Sequence, residues 1–417
     1  MRMETARPAV AERQSNLALR ALIVGGGIGG LAAAIALRRV GIEATVFEKA
    51  PQIAEVGAGL SLWSNAMVGL RRLGLEAAAL EAGSVIERVQ MFLSTGERLA
   101  SMNVVALGRK AGAPSICLRR AALQRLLLDA ALGDDPKSVQ TGRECTGFEA
   151  GASEVTALFG DGSRESGDVL IGADGINSVV RARLFGEARL RFAGYLAWRG
   201  IAEGMASQLP GREPFVSVAP GAHAGCFDCG EQKVYWFLTA NSRAGSRAGF
   251  LGNQGEVIER IRGWRVPLQR FVEATEEHAI LRNDIVDRRP RRVWSAGRVT
   301  LLGDAVHATT PNLGQGACQA IEDAVVLADS LRRGASVGAG LRDYEARRRR
   351  RANFVVRQSY RMGTFTQLAN PVGVWLREAL GSTSWAQKRT VRLFEHLLQA
   401  DLPELPDQAA PHRSRGS

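Results

Sequence analysis

The sequence predicts an α/β fold: a parallel-sheet domain interleaved with a second, strand-rich domain and followed by C-terminal helices. Three observations carry that expectation. Residues 21–50 (ALIVGGGIGGLAAAIALRRVGIEATVFEKA) set an apolar run before a glycine cluster, a helix and a second strand. Residues 169–175 (VLIGADG) and 299–305 (VTLLGDA) are further apolar strands that run into small residues and an aspartate. Between them, residues 188–290 change character and alternate aromatic and β-branched positions as sheet strands do.

The first stretch predicts a β-α-β unit. Ala21-Leu22-Ile23-Val24 has the length and apolarity of a strand buried on both faces. Gly25, Gly27 and Gly30 follow on the spacing G-x-G-x-x-G. Residues 31–39 are alanine-rich, without glycine or proline, and predict a helix. Residues 43–47 predict the second strand, which ends on Glu48 with Lys49 beside it. Gly25 permits the tight turn, Gly27 lets the backbone approach a pyrophosphate, and Gly30 lets the helix pack on the strand. The helix N-terminus offers unpaired N–H donors and about half a positive charge. Glu48 is placed to accept hydrogen bonds from ribose hydroxyls, and Lys49 is a second candidate cofactor contact. The combination predicts dinucleotide binding and leaves FAD and NAD both open.

A chain of 417 residues accommodates two domains, and 46% apolar with 23% charged residues is ordinary for a soluble globular protein. The net charge is 54 − 42 = +12, with an isoelectric point near 10.2. Such a charge suits anionic partners. No nucleic-acid motif accompanies it, and the arginine run 347–351 is expected to be a solvated helix face, so no nucleic acid is expected. Cys117, Cys145, Cys226, Cys229 and Cys318 are odd in number and scattered, which argues for a reducing compartment. Cys226 and Cys229 form a lone C-x-x-C with only His223 nearby, so no metal site is expected. Residues 1–16 lack the apolar core of a signal peptide. The uncharged run 21–37 is short for a membrane span and contains the glycine fingerprint. A cytoplasmic protein without an integral span is expected, as monomer or homodimer.

The other elements follow in order. Residues 56–62 turn into a short strand, and 65–73 form a helix stopped by Gly74. Residues 85–93 and 98–105, joined through Thr95-Gly96-Glu97, predict a hairpin that starts the second domain. Residues 119–132 predict a helix, 139–171 a strand-rich stretch with a turn at Asp161-Gly162, and 177–184 a short helix. Strands are expected at 195–201, 215–218 and 234–239, then helices at 256–262 and 268–277. Helices 315–332, 343–362 and 372–398 close the chain. The expected organisation is a tail (1–16), a first domain in three pieces (17–84, 106–187, 291–345), and a second domain in two (85–105, 188–290). C-terminal helices (346–403) and a disordered tail (404–417) complete it.

Three separated motifs point the same way: the glycine fingerprint with Glu48, Gly172-Ala173-Asp174-Gly175, and Gly303-Asp304-Ala305-Val306-His307 continuing through Pro311-Asn312-Leu313-Gly314-Gln315-Gly316 into a helix. Here the chain resembles the single-component FAD-dependent monooxygenases of the p-hydroxybenzoate hydroxylase fold, from about residue 19 to residue 398. It is most similar in look to the branch with salicylate hydroxylase, urate hydroxylase and zeaxanthin epoxidase. The most specific segment is GRVTLLGDAVHATTPNLGQGACQAIEDAVVLA, residues 297–328. The resemblance implies a Rossmann-like FAD-binding domain of the GR2 type. Asp304 would bind ribityl or ribose hydroxyls. Asp174 would serve FAD, and Arg120 the phosphate region, with Arg119 a neighbour that could be confused with it. Pro311 stiffens a loop whose Gly314, Gln315 and Gly316 would lie beside the isoalloxazine ring, with the helix N-terminus at Gly316 aimed at its anionic edge.

The resemblance also implies the reaction. NADH or NADPH binds transiently and reduces bound FAD, and the reduced flavin takes up O2 as a C4a-hydroperoxide. One oxygen atom then passes to an aromatic or heteroaromatic small molecule. Epoxidation of an olefin, or oxidation of a quinolone-like lipophilic ring, would use the same intermediate. An NAD-dependent dehydrogenase is the distant alternative. The substrate side is expected near residues 188–240, where Tyr195-Leu196-Ala197-Trp198-Arg199-Gly200 matches a family strand. Tyr195, Arg199, His223 and Gln315 are the candidates to orient or deprotonate a phenol, or to pair with a carboxylate. His307 is expected to be loop structure rather than a base.

Overall fold

A computed structural model describes residues 19–53, 57–133, 135–246 and 249–406. The expected tail 1–16 and positions 407–417 lie outside the described residues. The first sheet has six strands in the order Ser295–Ala296, Val299–Leu301, Val169–Gly172, Arg20–Val24, Glu43–Phe47, Val139–Gln140. All neighbours are parallel except Ser295–Ala296, which runs antiparallel to Val299–Leu301. Ala21, Leu22, Ile23 and Val24 are all buried. Helices cover both faces of such a sheet, so apolar residues are needed at every position rather than at alternate ones. Helix Ile28–Arg39 returns from the first strand to the second and packs on helix Gly316–Arg333.

The second sheet has seven strands in the order Leu281–Asp287, Arg191–Ala202, Val234–Asn241, Ala222–Asp228, Phe215–Ala219, Arg88–Leu93, Arg98–Asn103. Its outer face carries Leu196, Trp198, Trp236, Leu238, Ala224 and Cys226, covered by helices Gly252–Arg260 and Leu268–Glu273. Period-two alternation then turns Tyr195, Ala197, Arg199 and Ile201 to the opposite face, beside Tyr235 and Phe237.

Several elements differ from expectation. The strand expected through Val105 stops at Asn103, because the Asn103 side chain accepts from the Ala106 N–H and starts helix Val104–Ala111. Arg119 ends a strand, Ile116–Arg119, rather than starting the helix. The helix expected over 372–398 is two, Pro371–Gly381 and Ser384–Leu398, each with its own cap, Asn370 and Thr383. Residues 404–406 lie against the fold, with Leu405 buried and Glu404 paired 2.6 Å from Arg72.

The arginine run is the largest correction. It lies in helix Val337–Thr366, but Arg348 is buried, not solvated. Its guanidinium bonds Asp323 at 2.7 Å and the Gln319 side chain at 2.7 Å, and pairs with Glu322. Arg351 adds bonds to Glu322 at 2.7 and 2.9 Å. Burial alone would raise both carboxyls, yet Arg348 with Arg351 holds Glu322 low, and His307 with Arg348 holds Asp323 low. Conversely the two carboxylates hold Arg348 above its ordinary range against burial.

Removing one partner of a buried ion pair strands the other charge. Arg348→Met should therefore cost roughly 3–5 kcal/mol of stability. Arg350→Met, at an exposed neighbour, should stay within about 0.5 kcal/mol. Denaturant unfolding of both variants checks this, and equal effects would contradict the pairing.

Candidate active site

Three loops meet where the parallel strands end. Gly25, with φ of +109°, sits so close to the second loop that a Cβ would lie 2.5 Å from the Ala173 carbonyl oxygen. At Gly30 a Cβ would lie 1.9 Å from the Gly25 carbonyl oxygen, so helix and strand pack through bare backbone. At Gly27 a Cβ would meet nothing within 4 Å. The middle glycine thus faces open space, at the N-terminus of helix Ile28–Arg39.

Two acids lie beside that turn. Glu48 accepts from the Gly26 N–H at 2.6 Å and the Ala50 N–H at 2.9 Å, while Lys49 is exposed. Gln124, not anticipated from sequence, donates to the Gly26 carbonyl at 2.6 Å. Asp174 Oδ2 accepts from the Val179 and Val180 N–H groups at 2.7 and 3.1 Å, capping helix Val179–Phe185. Its Oδ1 is buried without a hydrogen-bond partner among the described residues. Burial raises the Asp174 carboxyl, opposed by Ser178 and the two N–H groups.

Asp304 is exposed, and desolvation raises its carboxyl against the nearby charges of His307 and Arg120. Arg120 runs over the backbone of Gly57, where a Cβ would lie 2.9 Å from its Cδ. Its neighbour Arg119 turns away to Glu231, 3.1 Å off. The two arginines, indistinguishable in sequence, therefore point to different places.

The third motif ends in a tight loop. Pro311–Leu313 is a single 3-10 turn, and Gly314 takes φ of +62° with the Trp63 indole where its Cβ would be. Gly316 begins the 18-residue helix Gly316–Arg333. Gln315 turns its side chain away from the loop into the core, 2.9 Å from Asn65 Nδ2 and 3.0 Å from Gln319 Nε2. It thereby joins the Glu322–Arg348 network through Asn65, which donates to Glu322 at 2.6 Å. His307 lies in the short helix Asp304–His307, buried and 2.6 Å from Asp323.

On the second sheet, Tyr195 is buried and donates to Asn312 Oδ1 at 2.6 Å, which ties the sheet to the Pro311 loop. Burial pushes its hydroxyl up to about 12. His223 lies edge-on to Phe237 at 5.2 Å, and Phe237 is 6.0 Å from Tyr235. Burial, then the Arg377 charge, lowers His223 to about 4. Arg199 is half-buried on the same face, with Nε lacking a hydrogen-bond partner among the described residues. Tyr235 and Phe237 escaped the sequence reading, although their alternation with Trp236 and Leu238 marked the face.

These residues fit FAD. Open space over Gly27 suits a pyrophosphate, Asp174 Oδ1 and Asp304 offer acceptors for hydroxyl groups, and Arg120 offers a cation. Residues 18–359 match the family model described as an FAD binding domain. The aurachin C monooxygenase/isomerase of Stigmatella aurantiaca is 42% identical over 367 residues, covering 87% of this chain and 93% of the relative. An FAD-dependent urate hydroxylase of Klebsiella pneumoniae is 35% identical over 332 residues, 79% of this chain and 86% of the relative. The crystal structure of Klebsiella pneumoniae HpxO with FAD and uric acid superposes with a TM-score of 0.85 at 31% identity, over 91% of this chain and 96% of that one. The chain therefore belongs to the FAD-binding-domain family and is an FAD-dependent monooxygenase.

Proposed function

We propose that the enzyme transfers one atom of O2 to a lipophilic aromatic or heteroaromatic ring, with NADH or NADPH as transient reductant. The observation that carries this is the inner face of the second sheet. Tyr235, Phe237 and His223 form an aromatic wall there, and Arg199 brings a cation to the same face. Urate, named for the Klebsiella relatives, is heteroaromatic, which supports the ring class. The mostly apolar wall favours a more lipophilic ring. Five buried, unpaired thiols suit the reducing cytoplasm, where a monomer or homodimer would act.

Bound FAD supplies the activation of oxygen. The chain supplies binding, orientation and exclusion of water. Gly27 receives the pyrophosphate on the turn that Gly25 and Gly30 make possible, with Glu48 and Lys49 at the adjoining ribose. Arg120, Asp174 and Asp304 hold the rest of the dinucleotide. Pro311, Gly314 and Gly316 bring bare backbone and a helix N-terminus to the ring system. Tyr195 keeps its proton and holds Asn312, so it positions the loop. A neutral imidazole near pKa 4 is a poor base for a phenol, so His223 orients the ring rather than deprotonating it. Arg199 pairs with an anionic or acceptor edge of the substrate. Gln315 acts through the core network as a positioning residue.

NAD(P)H oxidation in air, with phenols, aromatic acids, quinolones and polyenes in turn, tests the substrate class. Acceleration by one aromatic class, with an oxygenated product, is expected; acceleration by polyenes alone would contradict it. With the active compound, Arg199→Ala should raise KM about tenfold or more and leave flavin content unchanged. Loss of flavin would assign Arg199 to the cofactor or the fold.

His223 also makes a stability prediction. Its ordinary value is 6.5 and its folded value about 4, so between these the unfolded chain binds a proton that the folded chain refuses. Stability should therefore fall as pH drops through that window. Unfolding of His223→Gln should show a shallower fall, and an unchanged slope would contradict the assignment.

A further inference from the structure

We propose that the two C-terminal helices form a docking surface for an anionic lipid bilayer beside the substrate sheet. Helix Pro371–Gly381 is amphipathic with its apolar face outward. Val372, Trp375, Leu376, Ala379 and Leu380 recur at i, i+3, i+4, i+7 and i+8, and all are exposed. Val372 is 75% and Trp375 68% exposed, which is far from the usual fate of a helical stripe. Arg377 faces inward instead. Arg377 is 3% exposed and donates to the Ala219 and Thr366 carbonyls at 3.1 and 3.0 Å. Rolling the stripe inward would break both of these bonds.

The adjoining helix, Ser384–Leu398, supplies the charge. Trp385 is 63% exposed, with the Arg389 guanidinium 5.4 Å from its ring centroid. Lys388, Arg389 and Arg392 are exposed, and neither helix has an exposed carboxylate. Glu378 and Glu395 are half-buried, and Glu395 pairs with Lys110. Exposed tryptophans at the water boundary, an apolar stripe and neighbouring cations are the composition that lies in an anionic membrane surface. A second copy is the weaker occupant. A two-fold contact through this surface would set Lys388, Arg389 and Arg392 against themselves, in a chain already at +12. No helix among the described residues is long and apolar enough to cross a membrane, so the contact is peripheral.

The location gives the surface a use. Arg377 grips Ala219, which pairs with Ala222 next to His223, and the Gly221 N–H donates to the Leu368 carbonyl at 2.8 Å. The docked face thus adjoins the His223 end of the aromatic wall. A lipophilic substrate dissolved in the bilayer would enter from this side. That last step rests on the proposed substrate class; the docking does not.

Flotation of the FAD-loaded full chain tests the docking, with vesicles of phosphatidylcholine alone or mixed with phosphatidylglycerol. Binding to mixed vesicles that weakens with salt is expected. The double variant Trp375→Ser/Leu376→Ser, and separately Lys388→Ser/Arg389→Ser/Arg392→Ser, should each bind about tenfold more weakly or worse. Both should keep the wild-type FAD absorbance and melting temperature. Absent flotation of the wild type, or equal flotation of both folded variants, would overturn the proposal. A concentration-dependent dimer lost in Trp375→Ser/Leu376→Ser without vesicle binding would overturn it in favour of a second copy, and retention on DNA alone in favour of nucleic acid. Vesicle binding with no activity on any aromatic compound would sink the substrate class and leave the docking standing.

Discussion

The close approach of Gly30 to the Gly25 carbonyl is the contact on which the rest of the site depends. With no Cβ between them, helix Ile28–Arg39 sits directly against the first strand, and its N-terminus falls at the sheet's C-terminal edge. The same bare backbone lets Gly25 press on Ala173, which brings in the Asp174 turn nearly 150 residues away. The Gly303 loop enters beside it because its strand is the next parallel neighbour. Bulk anywhere in this knot would part the loops before any ligand arrived. Of the three fingerprint glycines, Gly27 is the one with open space where a Cβ would be.

Charge buried behind the knot fixes the other half of the site. Glu322 and Asp323 sit mid-helix among residues that are all buried, and they are tolerable only because Arg348 and Arg351 meet them. The network extends through Asn65 to Gln315 and through Asp323 to His307 and the Gly303 N–H. It therefore grips both cofactor-side loops from beneath. Such a cluster is costly compared with apolar packing. What it supplies is a fixed register between helix Gly316–Arg333 and helix Val337–Thr366.

Much of the first sheet was legible because its signals are local. A strand buried on both faces is apolar throughout, and glycine spacing marks a turn whatever lies elsewhere. Partnership was not legible. Five consecutive arginines look alike, and only the fold selects Arg348 for Glu322 and Asp323. Adjacent acids, Glu322 and Asp323, flanked by apolar residues mid-helix were the signal that a buried cation was required. Arg119 and Arg120 were separated by a strand-to-helix junction that periodicity does not resolve. Alternation put Tyr235 and Phe237 on one face without saying which face looked inward. The stripe on helix Pro371–Gly381 is the same problem in reverse: its period was readable, but its direction depends on Arg377.

Gly27 offers the most direct test of the central claim, that these loops form an FAD cradle. Its φ of −76° suits any residue, and a Cβ there meets no protein atom within 4 Å. Replacing Gly27 with valine should disturb the protein little and bound FAD severely. The measurement is flavin content per chain from the visible spectrum, alongside far-ultraviolet circular dichroism. The cradle predicts a yellow wild type and a folded, nearly colourless variant. A folded variant that keeps one FAD per chain would contradict it.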